Sequence, residues 1–245
     1  MSDAASTAVV TGGATGIGRA IARRLASDGA HVVVLDVADA SETVDLIEAE
    51  GGSAEFREAD VTDEASLESA FEGLEIETLV NNAAYYAPLV ENKKRFDEID
   101  EDEWDTVMDV NTKGVFLASK VALPHFAESG GAIVNISSTT AMKGTTGFLH
   151  YVASKAAVVG LTRGMANELG DLNVRVNAVA PGFTASEASK QAGEEYLEQR
   201  AESQALSQRP IQPDDVADSV AFLAGEDSEM LSGQVLTVDG GKLFR

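Results

Sequence analysis

Tyr151 and Lys155 stand four residues apart in a stretch, 149–169, whose apolar spacing predicts a helix, so both project from one face of it. A phenol with an unperturbed pKa of ~10 is only about 0.1% ionised at neutral pH. An ammonium beside it favours the phenolate and lowers that pKa. The pair is therefore suited to general acid/base work on a hydroxyl proton. Ser138 comes thirteen residues earlier, just after the β-branched run Ile133-Val134-Asn135-Ile136. That places its hydroxyl at a strand's carboxyl end, where it can hold a substrate oxygen; Ser137 and Thr139 are rivals for the place. Asn111 falls inside 101–127, which also predicts a helix. Asparagine is a poor interior helix residue, so it marks a kink or a role.

A second constellation surrounds Gly12-Gly13-Ala14-Thr15-Gly16-Ile17-Gly18, which joins the first predicted strand to the first predicted helix. Gly12 permits a tight turn, Gly16 lets backbone approach a pyrophosphate, and Gly18 lets helix and strand pack closely. The N–H groups at the helix start then face the anion. Asp36 ends the second strand, where an acid accepts hydrogen bonds from ribose hydroxyls and repels a 2′-phosphate. Thr15 is uncharged where a base would help to bind that phosphate. The cofactor expected from these residues is NAD rather than NADP.

These side chains need a scaffold that gathers strand ends. Short β-branched runs occur at Ala8–Val10, Val32–Leu35, Thr78–Val80, Ala132–Ile136, Val174–Val179 and Val235–Val238, with a weaker strand at Ser53–Glu58. Runs of this kind suit strands buried on both faces of a parallel sheet. Amphipathic stretches at 17–28, 41–50, 63–72, 101–127, 149–169 and 213–225 alternate with them. The pattern predicts one α/β domain over 1–245, a doubly wound Rossmann sheet with helices on both faces. The least regular segments, 83–100 and 181–212, follow strands and are expected to be loops over the site.

Composition excludes other classes. With 44% hydrophobic and 24% charged residues the chain is an ordinary globular one. There are no cysteines, and the three histidines (His31, His125, His150) are scattered, so no metal site is expected. No membrane span and no signal peptide are evident, which points to a cytoplasmic protein. Forty-one acids against 18 bases give a net charge of −23, which disfavours nucleic acid as a partner. Acids spread along the chain in this excess suggest a surface adapted to high salt, as in halophiles.

Taken together, Thr11-Gly12, Gly16-Ile17-Gly18, Asn81-Asn82-Ala83, Asn111, Ser138, Tyr151 with Lys155, and Pro181-Gly182 resemble the compact branch of the short-chain dehydrogenase/reductase family over essentially the whole chain. The resemblance implies seven strands, commonly a homotetramer, and hydride transfer between a carbinol or carbonyl carbon and a nicotinamide. By position it implies that Tyr151 is the acid/base and that Ser138 orients the substrate oxygen. Lys155 would lower the Tyr151 pKa and bind the nicotinamide ribose, and Asn111 would hold a relay water. Asp60 and Val61 would contact the adenine, Asn82 and Ala83 the adenosine side, and Pro181, Gly182 and Thr184 the carboxamide end. Ala84 departs from the family's usual glycine, and Thr184 and Ser186 replace its usual aliphatic and threonine.

For the substrate, Lys93-Lys94-Arg95 is the only run of three bases, and Lys143 lies between Ser138 and Tyr151. A basic rim on an acidic protein would attract an anion; the alternative is that the run pairs on a solvated turn with Asp97 and Glu98, which follow at once. Tyr85, Tyr86 and His150 add polar-tipped rings. A small hydroxy or sugar acid is therefore expected. The alternatives are an NADPH-dependent 3-oxoacyl reductase, against which Asp36 argues, and a catalytically inert dinucleotide-sensing scaffold, against which the complete Asn111, Ser138, Tyr151 and Lys155 set argues.

Overall fold

Successive residues of the strands bury on opposite faces, as a sheet covered on both sides requires. Val10, Val32, Val34 and Val134 belong to one apolar layer, and Val9, Val33, Leu35 and Ile133 to the other. The computed structural model describes residues 6–187, 194–206 and 209–244. It contains β1 (Thr7–Thr11), β2 (His31–Asp36), β3 (Ser53–Glu58), β4 (Thr78–Asn81), β5 (Gly131–Ile136), β6 (Val174–Pro181) and β7 (Val235–Val238). Their order is β3-β2-β1-β4-β5-β6-β7, with every neighbouring pair parallel. The chain winds outward from β1 in one direction, then resumes at β4 on its other side. This switch point opens a crevice beyond the carboxyl ends of β1 and β4.

The helices are α1 (Gly16–Ser27), α2 (Ser41–Ala49), α3 (Glu64–Phe71), α4 (Ala87–Glu91), α5 (Glu101–Met108), α6 (Gly114–Ala122), α7 (Thr140–Lys143), α8 (Leu149–Glu168), α9 (Glu194–Glu202) and α10 (Pro213–Ala224). α1 and α10 cover one face of the sheet with Ile21, Leu25, Val216 and Val220. α3 and α6 cover the other with Leu67, Phe71, Leu117 and Val121, and Met165 of α8 packs beside them. The acid-rich helix starts work as capping groups: the Asp100 carboxylate accepts the Glu103 N–H at 2.9 Å.

Three expectations need correction. The single helix at 101–127 is broken. α5 runs into a π turn at Asp109–Lys113, where the Gly114 N–H bonds to the Asp109 carbonyl, and α6 follows. Asn111 sits in this turn, fully buried, with its amide spent on groups outside the helix. Gly114 lets Val61 in, since a Cβ there would lie 2.8 Å from Val61 Cγ2. Pro124 then turns the chain into a short 3-10 segment, Leu123–His125. The 83–100 segment is not an open loop: it holds α4, started by Pro88, and a 3-10 turn at Phe96–Glu98. In 181–212, residues 188–193 and 207–208 lie outside the described residues, and the described part carries α9. Its run of Glu, Leu, Gln, Arg and Ala is helix-favouring.

Gly12 takes φ +67°, and a Cβ on it would lie 2.6 Å from Ala83 Cα. A Cβ on Gly18 would lie 2.0 Å from the Gly12 carbonyl oxygen. Backbone, not a flexible side chain, blocks both positions. Gly18→Ala is therefore expected to destabilise the fold by about 1–3 kcal/mol. A melting temperature several degrees below wild type would agree, and an unchanged one would contradict the packing.

Candidate active site

A cleft of about 1120 Å³ follows the switch point, and every residue expected above to meet a dinucleotide lines it. At its floor the Gly12–Gly18 loop curls round the start of α1. Gly16 has φ +58°, and a Cβ there would meet only Ser186 Cβ, at 3.7 Å. Thr15, the N-cap, makes no side-chain bond to the first turn. The N–H groups of that turn are thus directed at the cleft, as an anion site requires. Asn82 donates its amide to the carbonyls of Thr11 (3.1 Å) and Gly12 (2.8 Å). The Thr11 hydroxyl accepts the Asn82 N–H at 3.0 Å and the Ala83 N–H at 3.2 Å. This pins the end of β4 to the end of β1. Thr11 was legible only as part of the glycine motif, and its hydroxyl proves to be the hinge pin.

Asp36 stands at the end of β2 on the cleft wall. One carboxylate oxygen accepts the Ala14 N–H at 3.0 Å and the other accepts the Ala38 N–H at 3.0 Å. Each oxygen keeps a further lone pair for a hydroxyl. The residues present fit a dinucleotide: amides for a pyrophosphate, a carboxylate for ribose, and a long cleft between the two walls.

At the other wall the two serines divide. Ser137 donates to the Lys155 carbonyl at 2.8 Å, fastening α8 to the end of β5. Ser138 Oγ accepts the Thr140 N–H at 3.2 Å and the Thr140 hydroxyl at 3.0 Å, and it lines the cleft near enough to Tyr151 to lower the phenol's pKa. The hydroxyl cluster thus resolves into one structural serine and one facing the phenol. Lys155 is buried and donates its ammonium to the Ile136 carbonyl at 2.8 Å. Burial pulls its pKa down to about 8.

Tyr151 corrects an expectation. Its phenol is pushed above the ordinary tyrosine value, first by burial and then by the neighbouring Tyr86, with the Ser138 hydroxyl opposing. The Lys155 Nζ lies 5.8 Å from the Tyr151 ring centroid and is turned to a carbonyl, so its charge does not offset the desolvation. Burial thus favours the neutral phenol.

Asn111 does not line the cleft. Its Oδ1 accepts the Tyr85 N–H at 2.6 Å, and its Nδ2 donates to Ser154 Oγ at 3.2 Å. It joins the segment after β4 to α8, one turn from Tyr151. Tyr85, Lys93 and Lys143 line the cleft as expected of substrate groups. Lys94, Arg95 and His150 do not. Lys94 is drawn to Asp100 and Glu103. Arg95 pairs with Asp97 at 2.9 Å on the surface. His150 is buried and bonded to Glu103 at 2.9 Å. Nearby acids thus remove two of the four rim bases. Tyr86 lines the cleft as expected, and with Phe148, which sequence reading missed, it forms an aromatic wall: Tyr86 stacks on Phe148 at 6.4 Å and tilts against Tyr151 at 5.0 Å. Lys93 lies over Phe148, its Nζ 5.5 Å from the ring centroid.

A family model described as enoyl-(acyl carrier protein) reductase matches residues 12–242. A 3-oxoacyl-(acyl-carrier-protein) reductase of Thermotoga maritima is 37% identical, with 95% of this chain and 96% of that one aligned. A 4-formylbenzenesulfonate dehydrogenase of Comamonas testosteroni is 40% identical over 96% of each chain. A solved dehydrogenase/reductase of Sinorhizobium meliloti superposes with a TM-score of 0.89 at 36% identity, covering 99% of this chain and 97% of that one. The protein belongs to the short-chain dehydrogenase/reductase family and is an oxidoreductase with a Rossmann fold. Among the described residues no helix is long and apolar enough to cross a membrane.

The Lys155 environment has a consequence for stability. Its folded pKa of about 8 lies below the 10.5 of a free lysine. The cost of burying the ammonium is therefore complete below pH 8 and is relieved as pH rises towards 10.5, because the folded state releases the proton first. Lys155→Met carries no such cost. The melting temperature of wild type minus that of Lys155→Met is expected to rise between pH 7 and pH 10. A difference that stays constant would contradict the burial.

Proposed function

We propose that the protein interconverts a secondary alcohol and a ketone on a small hydroxy or sugar acid, using NAD. The observation that carries this reading is that Ser138, Tyr151 and Lys155 together line one wall of a cleft whose floor is a phosphate-type glycine loop. Bound nicotinamide dinucleotide supplies or accepts the hydride. The chain's residues do the rest. The Gly12–Gly18 loop receives the pyrophosphate and Asp36 the ribose hydroxyls. Asp60 and Val61 flank the adenine, with Asn82 and Ala83 on the adenosine side. Pro181, Gly182 and Thr184 hold the carboxamide end. Ser138 Oγ orients the substrate oxygen, and Tyr151 Oη gives it a proton in reduction or takes one in oxidation. Lys155 holds the nicotinamide ribose and orients the phenol. Asn111 acts through the fold, its amide fixing Tyr85 and α8 while its π turn shapes the backbone at the site.

Charge selects the substrate. Lys93 and Lys143 are the rim bases that line the cleft, and in a chain of net charge −23 they offset the repulsion of an acid. The Comamonas testosteroni relative is named for a substrate that bears a sulfonate, which supports an anion here. A second reading, an NADPH-dependent 3-oxoacyl reductase, is favoured by the name of the Thermotoga maritima relative, whereas Asp36 at the ribose position favours the first. The spread-out acids fit a high-salt surface, so assays belong in molar KCl as well as in dilute buffer.

Tyr151→Phe is expected to lower turnover by about 10²–10⁴-fold while NAD still binds. A variant that kept more than a tenth of the wild-type rate would exclude Tyr151 as the acid/base. Lys93→Met together with Lys143→Met is expected to raise KM for gluconate several-fold and to leave KM for 2,3-butanediol nearly unchanged. Equal effects on the acid and the neutral alcohol would exclude a basic substrate site.

A further inference from the structure

We propose that His150, Glu103 and Lys94 form a positioning network that sets where Tyr151 stands in the cleft. The inference rests on the proposed role of Tyr151 as acid/base. Tyr151 is the third residue of α8, so its N–H is one of the four at a helix start that have no partner within the helix. The N-cap, Phe148, provides no side-chain bond. His150 provides one instead: its Nδ1 accepts the Tyr151 N–H at 3.0 Å. A ring nitrogen that accepts carries no hydrogen, so the neutral ring holds its hydrogen on Nε2. Nε2 then donates to Glu103 Oε1 at 2.9 Å. Glu103 belongs to α5, and its other oxygen takes the Lys94 ammonium, which also reaches Asp100 at 3.1 Å. Lys94 and His150 together hold the Glu103 carboxyl below the ordinary glutamate range.

The result is a continuous path from a lysine ahead of α5, across the α5–α8 contact, to the backbone of Tyr151. His150 is 1% exposed and both its ring nitrogens are engaged, so it meets no substrate. Ser138 sits at the end of β5, on a different element from Tyr151. The phenol–serine geometry therefore depends on where the first turn of α8 is held. A misplacement of about 1 Å can cost ~10²-fold in rate. Lys94 and His150, both expected from sequence to face substrate, instead act on the phenol from behind.

The test uses the full-length protein with NAD and the faster of gluconate and 2,3-butanediol. Glu103→Ala and His150→Leu are expected to lower kcat at least tenfold with KM for NAD within twofold of wild type. Glu103→Gln retains an acceptor for Nε2 and is expected to recover most of the rate. The Glu103→Ala/His150→Leu double variant should fall no further than the worse single one, as for residues in one network. Lys94→Met should lower kcat rather than raise KM for the acid. Nitrogen-15 NMR of the wild-type ring should show one protonated nitrogen, Nε2, whether or not the protein turns over; this readout stands even where His150→Leu does not fold. The proposal is overturned by a hydrogen on Nδ1, by wild-type kcat in Glu103→Ala, or by a Lys94→Met effect confined to KM for the acid. If Tyr151→Phe is itself active, the acid/base reading fails. If it is inert while the network variants run at the wild-type rate, only the network fails.

Discussion

Three stretches of backbone meet at Gly12 too closely to admit a Cβ at Gly12 or Gly18, and the cleft depends on that contact. The turn after β1 carries Gly12, the first turn of α1 carries Gly18, and the end of β4 carries Ala83. A Cβ at Gly12 or Gly18 would overlap backbone atoms of the others. The approach is secured by the Asn82 amide and the Thr11 hydroxyl, which satisfy backbone groups that the strands leave behind at their ends. Because α1 starts so close to the sheet, its N–H groups open towards the crevice rather than into solvent. Asp36 joins the same assembly by accepting the Ala14 N–H. The glycine loop and Asp36 are thus one rigid unit.

The opposite wall is built by a helix docked on a strand end. α8 brings Tyr151 and Lys155 to the carboxyl edge, and β5 brings Ser137 and Ser138. Ser137 and the Lys155 ammonium tie the two elements through carbonyl oxygens on either side. Burial is the dominant electrostatic influence here. It raises the phenol and lowers the ammonium, in each case favouring the neutral form. A wall poised in this way responds strongly to any charge brought into the cleft, because little solvent remains to screen it.

Much of this was legible in the residues. The strands read as β-branched runs because both sheet faces are covered, and even the weak β3 fell where expected. Glycine spacing located the tight turn at the floor of the cleft because only backbone fits there. Asn111 announced the break in its helix, since an interior asparagine has to bond elsewhere. Long-range side-chain pairing was not legible. Arg95 pairing with Asp97, two residues on, was within reach of the sequence; that Lys94 would reach Glu103, that His150 would be buried, and that Lys155 would turn to a strand carbonyl follow from tertiary proximity, which spacing does not encode. α4 and α9 were missed because short helices among variable residues carry too few periods for an apolar stripe. Tyr86 and Phe148 come from separate segments, and only the docking of those segments makes a wall of them.

The central claim is that the rigid unit of glycine loop and Asp36 is a dinucleotide site that prefers NAD. Calorimetric titration of NAD and of NADP into wild type and Asp36→Ala tests it most directly. The account expects wild type to bind NAD at least tenfold more tightly than NADP, and Asp36→Ala to lose most of that ratio, because both the ribose acceptor and the repulsion of a 2′-phosphate are gone. Equal affinities in wild type, or a ratio unchanged by the substitution, would contradict it.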